Sequence, residues 1–149
     1  MIHYIKKDIT SIDRGVIVQG VNCQGVMGSG VAGDIRAKWP KVFGEYFKFC
    51  YENEPLLGKI NPVKVEEEIW VINAFTQKYY GRDGLKYADV ASVEQSVRSA
   101  YAESIRLQLP IYMPKIGCGL GGLHWQKEVL PILERLSLDE FPITICEKE

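Results

Sequence analysis

Val16-Ile17-Val18-Gln19-Gly20-Val21 runs directly into Asn22-Cys23-Gln24-Gly25-Val26-Met27-Gly28-Ser29-Gly30-Val31-Ala32. The first six residues predict a buried strand, and the composition of 31–39 predicts a helix on the far side of the loop. Glycines between a strand and a helix let the backbone approach a ligand closely and point unpaired N–H groups outward. Such a loop reads as an anion cradle, most naturally for a phosphate. A second stretch, Ile116-Gly117-Cys118-Gly119-Leu120-Gly121-Gly122-Leu123, echoes it between a strand expected over 109–113 and a helix expected over 125–136. Two cradles are harder to read as tight turns than one, because a turn rarely needs Gly117, Gly119, Gly121 and Gly122 together.

Working outward, a short strand over 2–7 ends at Asp8 and a turn-prone run over 10–15. Pro40 separates the first helix from a second over 42–51, whose Phe43, Tyr46, Phe47 and Phe49 are expected to pack on a sheet. Strands over 58–65 and 69–75 flank the acidic turn Glu66-Glu67-Glu68. The loop over 77–88, with Tyr79, Tyr80 and Tyr87, is long and aromatic enough to take part in binding or to cover the core edge. Ser92-Val93-Glu94-Gln95 reads as a capping box for an amphipathic helix to about 108. Pro131 sits awkwardly within the last helix, and a strand over 143–146 closes the chain. This alternation predicts an α/β fold, a three-layer α/β/α sandwich with a central mixed sheet, as one domain over 1–149. Ligands of such sheets bind beyond the carboxyl ends of the strands, where both loops fall.

With 149 residues, 46% of them hydrophobic, the chain can bury one continuous core unaided. Its 18 basic and 19 acidic residues are mixed along the sequence, so no patch demands nucleic acid or a membrane. No apolar run approaches the ~20 residues of a membrane helix, and a soluble, cytoplasmic, monomeric protein is expected. Cys23, Cys50, Cys118 and Cys146 lie far apart without a CxxC pair or a cysteine–histidine cluster, so reduced thiols, no metal and no cofactor are expected. The first loop lacks both the GxGxxG spacing of dinucleotide folds and the GxxxxGK[ST] of a P-loop, which argues against those classes.

Asp8, Val21-Asn22, Gly25 to Ala32, Trp39-Pro40, Gly58-Lys59, Asn73-Ala74-Phe75-Thr76 and Pro114-Lys115 followed by Ile116 to Gly122 stand in a specific order and spacing. In these features, over nearly its whole length, the chain resembles the macro domains that bind ADP-ribose. It looks closest to a branch holding the terminal ADP-ribose protein glycohydrolase, the antitoxin that removes ADP-ribose from DNA bases, and the yeast-type ADP-ribose 1''-phosphate phosphatase. The resemblance implies that Asp8 accepts a hydrogen bond from the adenine amino group, a turn carboxylate being the plainer alternative, and that Ile9 beside it belongs to the ligand-binding residues. Asn22 would bind the distal ribose hydroxyls, or simply hold an Asx turn. Gly28, Ser29, Gly30, Val31 and Ala32 would present N–H groups to the diphosphate. Gly117, Cys118, Gly119, Leu120 and Gly121 would close over it from the other side, and Tyr80 could stack on the distal ribose or cap the sheet edge.

The chain departs from the two glycohydrolases where their chemistry is carried. Gln77, not lysine, follows Thr76, with Lys78 one residue further, on the opposite face of an extended chain. Gly121 stands where the protein glycohydrolase has an aspartate. The resemblance therefore implies hydrolysis of ADP-ribose 1''-phosphate to ADP-ribose and phosphate, with Asn22 or His124 holding the attacking water. The alternatives are a non-catalytic ADP-ribose-binding module and a glycohydrolase in which Lys78 replaces the missing lysine. Asp34 as a water holder and Cys118 as a nucleophile are weaker candidates beside a solvated helix carboxylate and a packing thiol.

Overall fold

In the computed structural model, which describes residues 1–81 and 83–148, β1 (Ile2–Lys6) passes through a 3₁₀ turn, Ile9–Ser11, into β2 (Gly15–Asn22). There follow α1 (Gly30–Lys38), α2 (Pro40–Glu52), β3 (Ile60–Glu66), β4 (Ile69–Gln77), α3 (Val90–Leu107), β5 (Ile111–Met113), α4 (Leu130–Leu136) and β6 (Ile143–Glu147). The strands form one sheet in the order β1-β6-β5-β2-β4-β3. Only the edge pair β3·β4 is antiparallel, and that edge tolerates Pro62.

β2 and β4 carry near-continuous apolar runs because both faces of an interior parallel strand are covered. Val16, Val18, Ile72 and Ala74 pack with Val93, Val97 and Ala100 of α3 and Ile132 and Leu133 of α4. Ile17, Val21, Val71 and Phe75 pack on the other face with Ile35 of α1 and Val42 and Tyr46 of α2. The result is the expected α/β/α sandwich with a mixed sheet. The chain leaves β2 toward β4 on one side and returns through α3 to β5 on the other, so a crevice opens at the carboxyl ends of these three strands.

Three local expectations are corrected. Asp89, not Ser92, caps α3, its carboxylate accepting from the Ser92 N–H at 3.1 Å and the Ser92 hydroxyl at 2.6 Å. Pro131 does not break a helix, because a π-helical turn, Trp125–Val129, precedes it and leaves it in the first turn of α4. Pro40 likewise opens α2. Phe47 does not reach the sheet: it stays 42% exposed, whereas Phe49 stacks on Phe75 with ring centroids 5.5 Å apart. Among the described residues no helix is long and apolar enough to cross a membrane.

Candidate functional site

A cavity of about 400 Å³ occupies the crevice. Its wall takes residues 19–22 from the end of β2, Thr76 and Gln77 from β4, residues 26–32 of the first glycine loop, and Pro114 to Gly117 with Gly119 to Gly121 of the second. Tyr80 and Gly81 close one side.

The first loop owes its shape to Asn22. A register shift between Val21 and Asn22 marks a bulge at the strand end, and bulges re-aim side chains. Asn22 Oδ1 accepts from the Gln24 N–H at 2.9 Å, from the Val26 N–H at 3.4 Å and from the buried Tyr46 hydroxyl at 2.8 Å. Its Nδ2 donates to the Val26 carbonyl at 2.8 Å. Burial pushes the Tyr46 phenol well above its ordinary range, so it remains a donor.

Beyond that turn the backbone offers donors. Ser29 is the N-cap of α1 but makes no side-chain cap, and the first backbone bond there is Gly33 N–H to the Ser29 carbonyl at 3.3 Å. The N–H groups of residues 28–32 therefore meet no acceptor among the described residues. No protein atom lies within 4 Å of where a Cβ would stand on Gly28 or Gly30, and Gly30 adopts φ +60°.

The second loop is folded on itself. Cys118 N–H donates to Lys115 O, Gly122 N–H to Gly119 O and Leu123 N–H to Gly117 O, at 3.1, 3.2 and 2.9 Å. Among the described residues the N–H groups of Gly117, Gly119, Leu120 and Gly121 are left without acceptors. The Gly121 carbonyl accepts from Tyr87 and Ala88, at 2.8 and 2.9 Å. A Cβ on Gly121 would stand 2.6 Å from the Gly117 carbonyl oxygen and 2.9 Å from Ala88 Cβ, so no side chain fits there.

The cavity thus gathers Asn22, Gly28, Ser29, Gly30, Val31, Ala32, Gly117, Gly119, Leu120, Gly121 and Tyr80 of the expected site. Asp8, Ile9, Cys118 and His124 lie outside its wall. Asp8 caps the 3₁₀ turn, accepting from the Thr10 N–H at 2.9 Å and hydroxyl at 2.7 Å, bonds that hold its carboxyl below the usual range. Its Oδ2 faces the Lys148 ammonium at 3.9 Å. Ile9 is buried in the core beneath α1 and α2. Cys118 has its N–H committed and its thiol pushed up to about 11 by burial, so it is neither donor nor nucleophile at neutral pH.

Asn22 and His124, the residues expected to hold a water, both make hydrogen bonds within the protein. Asn22 Oδ1 already accepts three bonds, and His124 caps the π-helical turn, Nδ1 accepting from the Lys127 N–H at 3.2 Å. Lys78 also stays outside the wall, its ammonium 5.5 Å from the centre of the Tyr79 ring. Asp34 pairs with Lys148 at 3.4 Å. Among the described wall residues only Lys115 is charged, and Glu147 pairs with it at 3.1 Å. Gln19 and Thr76, each 1% exposed, belong to the wall; Thr76 ends one of the stretches that carry the resemblance, whereas Gln19 has no role in the sequence reading. A polar side chain inside an apolar strand was the available signal.

The sequence model of the Macro domain matches residues 18–132. The chain belongs to the Macro domain family. It is 30% identical over 132 residues to the DNA ADP-ribosyl glycohydrolase of Mycobacterium tuberculosis, matching over 85% of this chain and spanning 36% of that relative. The ADP-ribose 1''-phosphate phosphatase of Candida albicans is 29% identical, with 85% of this chain and 88% of that protein covered. The macrodomain of Mycobacterium tuberculosis DarG superposes with a TM-score of 0.80 at 25% identity, over 100% of this chain and 99% of that one. Both curated relatives are named for hydrolytic reactions.

Proposed function

We propose that this macro domain binds ADP-ribose and hydrolyses its 1''-phosphate ester to ADP-ribose and phosphate. One observation carries the reading: two loops from opposite sides line one cavity and carry at least nine backbone N–H groups without acceptors among the described residues, residues 28–32 with Gly117, Gly119, Leu120 and Gly121. Such donors suit a diphosphate and a phosphomonoester alike, since an oxyanion accepts several short charge-assisted bonds.

The same donors suit the chemistry. Phosphoryl transfer passes through a loose transition state with charge spread over the equatorial oxygens, so catalysis is mostly positioning and electrostatic stabilisation. Fixed N–H dipoles stabilise that charge without reorganising. Water attacks phosphorus, the bond to the C1'' oxygen breaks, and the released hemiacetal takes a proton from solvent. Removal of ADP-ribose from protein or DNA has less support, because Gly121 leaves no room for a carboxylate and Lys78 lies outside the wall. The absence of His, Asp or Glu from the described wall favours a second reading, a binding module without turnover.

Calorimetry with ADP-ribose and phosphate release from ADP-ribose 1''-phosphate test both. Binding with release is the expected result. Binding without release leaves the module, and no binding of either compound overturns the reading.

A further inference from the structure

Gln19 lies on β2, 1% exposed, and belongs to the cavity wall. Its Nε2 donates to Asn73 Oδ1 at 2.8 Å, and Asn73 Nδ2 donates to Asn61 Oδ1 at 3.1 Å, a line of amides across β2, β4 and β3. Met27 Sδ, an acceptor only, lies 3.9 Å from the same Nε2 and agrees with this orientation. Gln19 Oε1 is left facing no donor. Among the described residues it is the one buried side-chain nitrogen or oxygen without a partner.

A buried acceptor in a native fold is nearly always satisfied, and one left open points to a group that completes it. Phosphate oxygens cannot do so, because they too are acceptors. The occupant must bring an O–H or N–H donor to a cavity wall that also presents backbone N–H groups without acceptors among the described residues. The amide expected to recognise ribose hydroxyls, Asn22, has spent its carbonyl on Gln24, Val26 and Tyr46.

We infer that Gln19 Oε1 is the hydroxyl-recognising acceptor of the cavity and takes a bond from the distal sugar of the bound nucleotide, an assignment that rests on the ADP-ribose reading above. Met27 lies against the amide, its Sδ 3.9 Å from Gln19 Nε2. Its unbranched thioether side chain lies between two glycines of positive φ, Gly25 and Gly30, and moves aside as the sugar enters. Gln19 is then a specificity-determining residue: it separates a nucleoside diphosphate that carries a second, distal sugar from the nucleoside diphosphate alone.

The test compares ADP-ribose with ADP on the wild type and on Gln19→Met, which keeps the side-chain length and removes the acceptor. ADP-ribose affinity is expected to fall about tenfold and ADP affinity to stay within about twofold, since only the first ligand carries the distal sugar whose hydroxyl is the proposed donor. Equal losses for the two ligands, or none, overturn the assignment. Wild-type protein with ADP-ribose analogues deoxygenated at C2'' or C3'' tests it without a variant. One analogue should lose about tenfold, and equal binding of all three sugars overturns it. If the wild type binds neither ADP-ribose nor ADP, the cavity reading falls and the assignment with it; if both bind with equal affinity, the assignment alone falls.

Discussion

The two glycine loops look alike in sequence and use their glycines for opposite ends. In the first, a side chain sets the fold: Asn22 gathers the turn, and Gly28 and Gly30 stand free with open space on their Cα carbons. In the second, the glycines themselves set the fold. Gly121 touches Gly117 and Ala88, while Gly122, at φ +81°, lies against the Leu85 carbonyl. Only Gly119 there has the open space that Gly28 has. A glycine therefore marks either a place the ligand needs or a place the chain needs, and the atoms around its missing Cβ distinguish the two.

The largest test of that contrast is Gly121→Asp. A side chain there would meet backbone at 2.6 Å, so the cost should reach about 3 kcal/mol or more through overpacking and a buried carboxylate. The melting transition should drop steeply and ADP-ribose binding vanish. A variant that melts like the wild type would remove the claim that the second loop is built on its glycines. Asn22→Ala comes next. It strips the acceptor from the Gln24 N–H and weakens the anchor of Tyr46, which should cost about 2 kcal/mol in denaturant unfolding. Gly28→Ala should do the reverse. Stability should stay within about 1 kcal/mol, while ADP-ribose affinity falls roughly tenfold because the methyl group fills the cradle. If Gly28→Ala instead lowers stability and spares binding, the two loops are the same kind of object.

The layers of the fold were legible because β2 and β4 are largely apolar and α3 repeats its apolar residues at helical spacing. Which loops line the cavity was legible too, since each follows a strand end and opens toward a helix. The division of labour among the glycines was not, because it depends on Leu85, Ala88 and Leu123, residues brought near only by folding. Asn22 could be read as a ligand group or as a turn former; that it forms the turn depends in part on the hydroxyl of Tyr46, 24 residues away, which no local pattern shows. Gln19 was passed over because one amide within Val16 to Val21 leaves the strand pattern intact. Its open carbonyl is a property of three strands in register. At α3 the local pattern misled: Ser92 satisfies a capping box in sequence, but Asp89 lies at the helix entrance and takes the first-turn N–H.

Where the loops agree is in their thiols. Cys23 and Cys118 each sit in a glycine loop, partly buried and outside the cavity wall, and burial pushes both up to about 11, as it does Cys146. The folded state then holds protons that the unfolded state releases above the ordinary thiol value of 9.0. Stability should accordingly be flat through neutral pH and decline between about 9 and 11. Melting curves from pH 7 to 10.5 check this, and Cys23→Ala and Cys118→Ala should flatten the decline by comparable amounts. A decline altered by only one of them would show that the loops bury their thiols differently.

The smallest expected effect falls on His124, beside the second loop. Its imidazole was the best chemical group the sequence offered near the site, yet Nδ1 accepts from the Lys127 N–H and the ring stays exposed. A cap of this kind is worth about 0.5 kcal/mol at an exposed, short turn. His124→Ala should therefore lower the melting temperature slightly and leave phosphate release from ADP-ribose 1''-phosphate within about twofold. His124→Asn, which retains a capping acceptor, should restore the stability. If release instead collapses in both variants while melting barely moves, the second loop delivers a chemical group as well as N–H donors. The first loop would then be the cradle and the second the catalyst, a sharper division than the glycines alone provide.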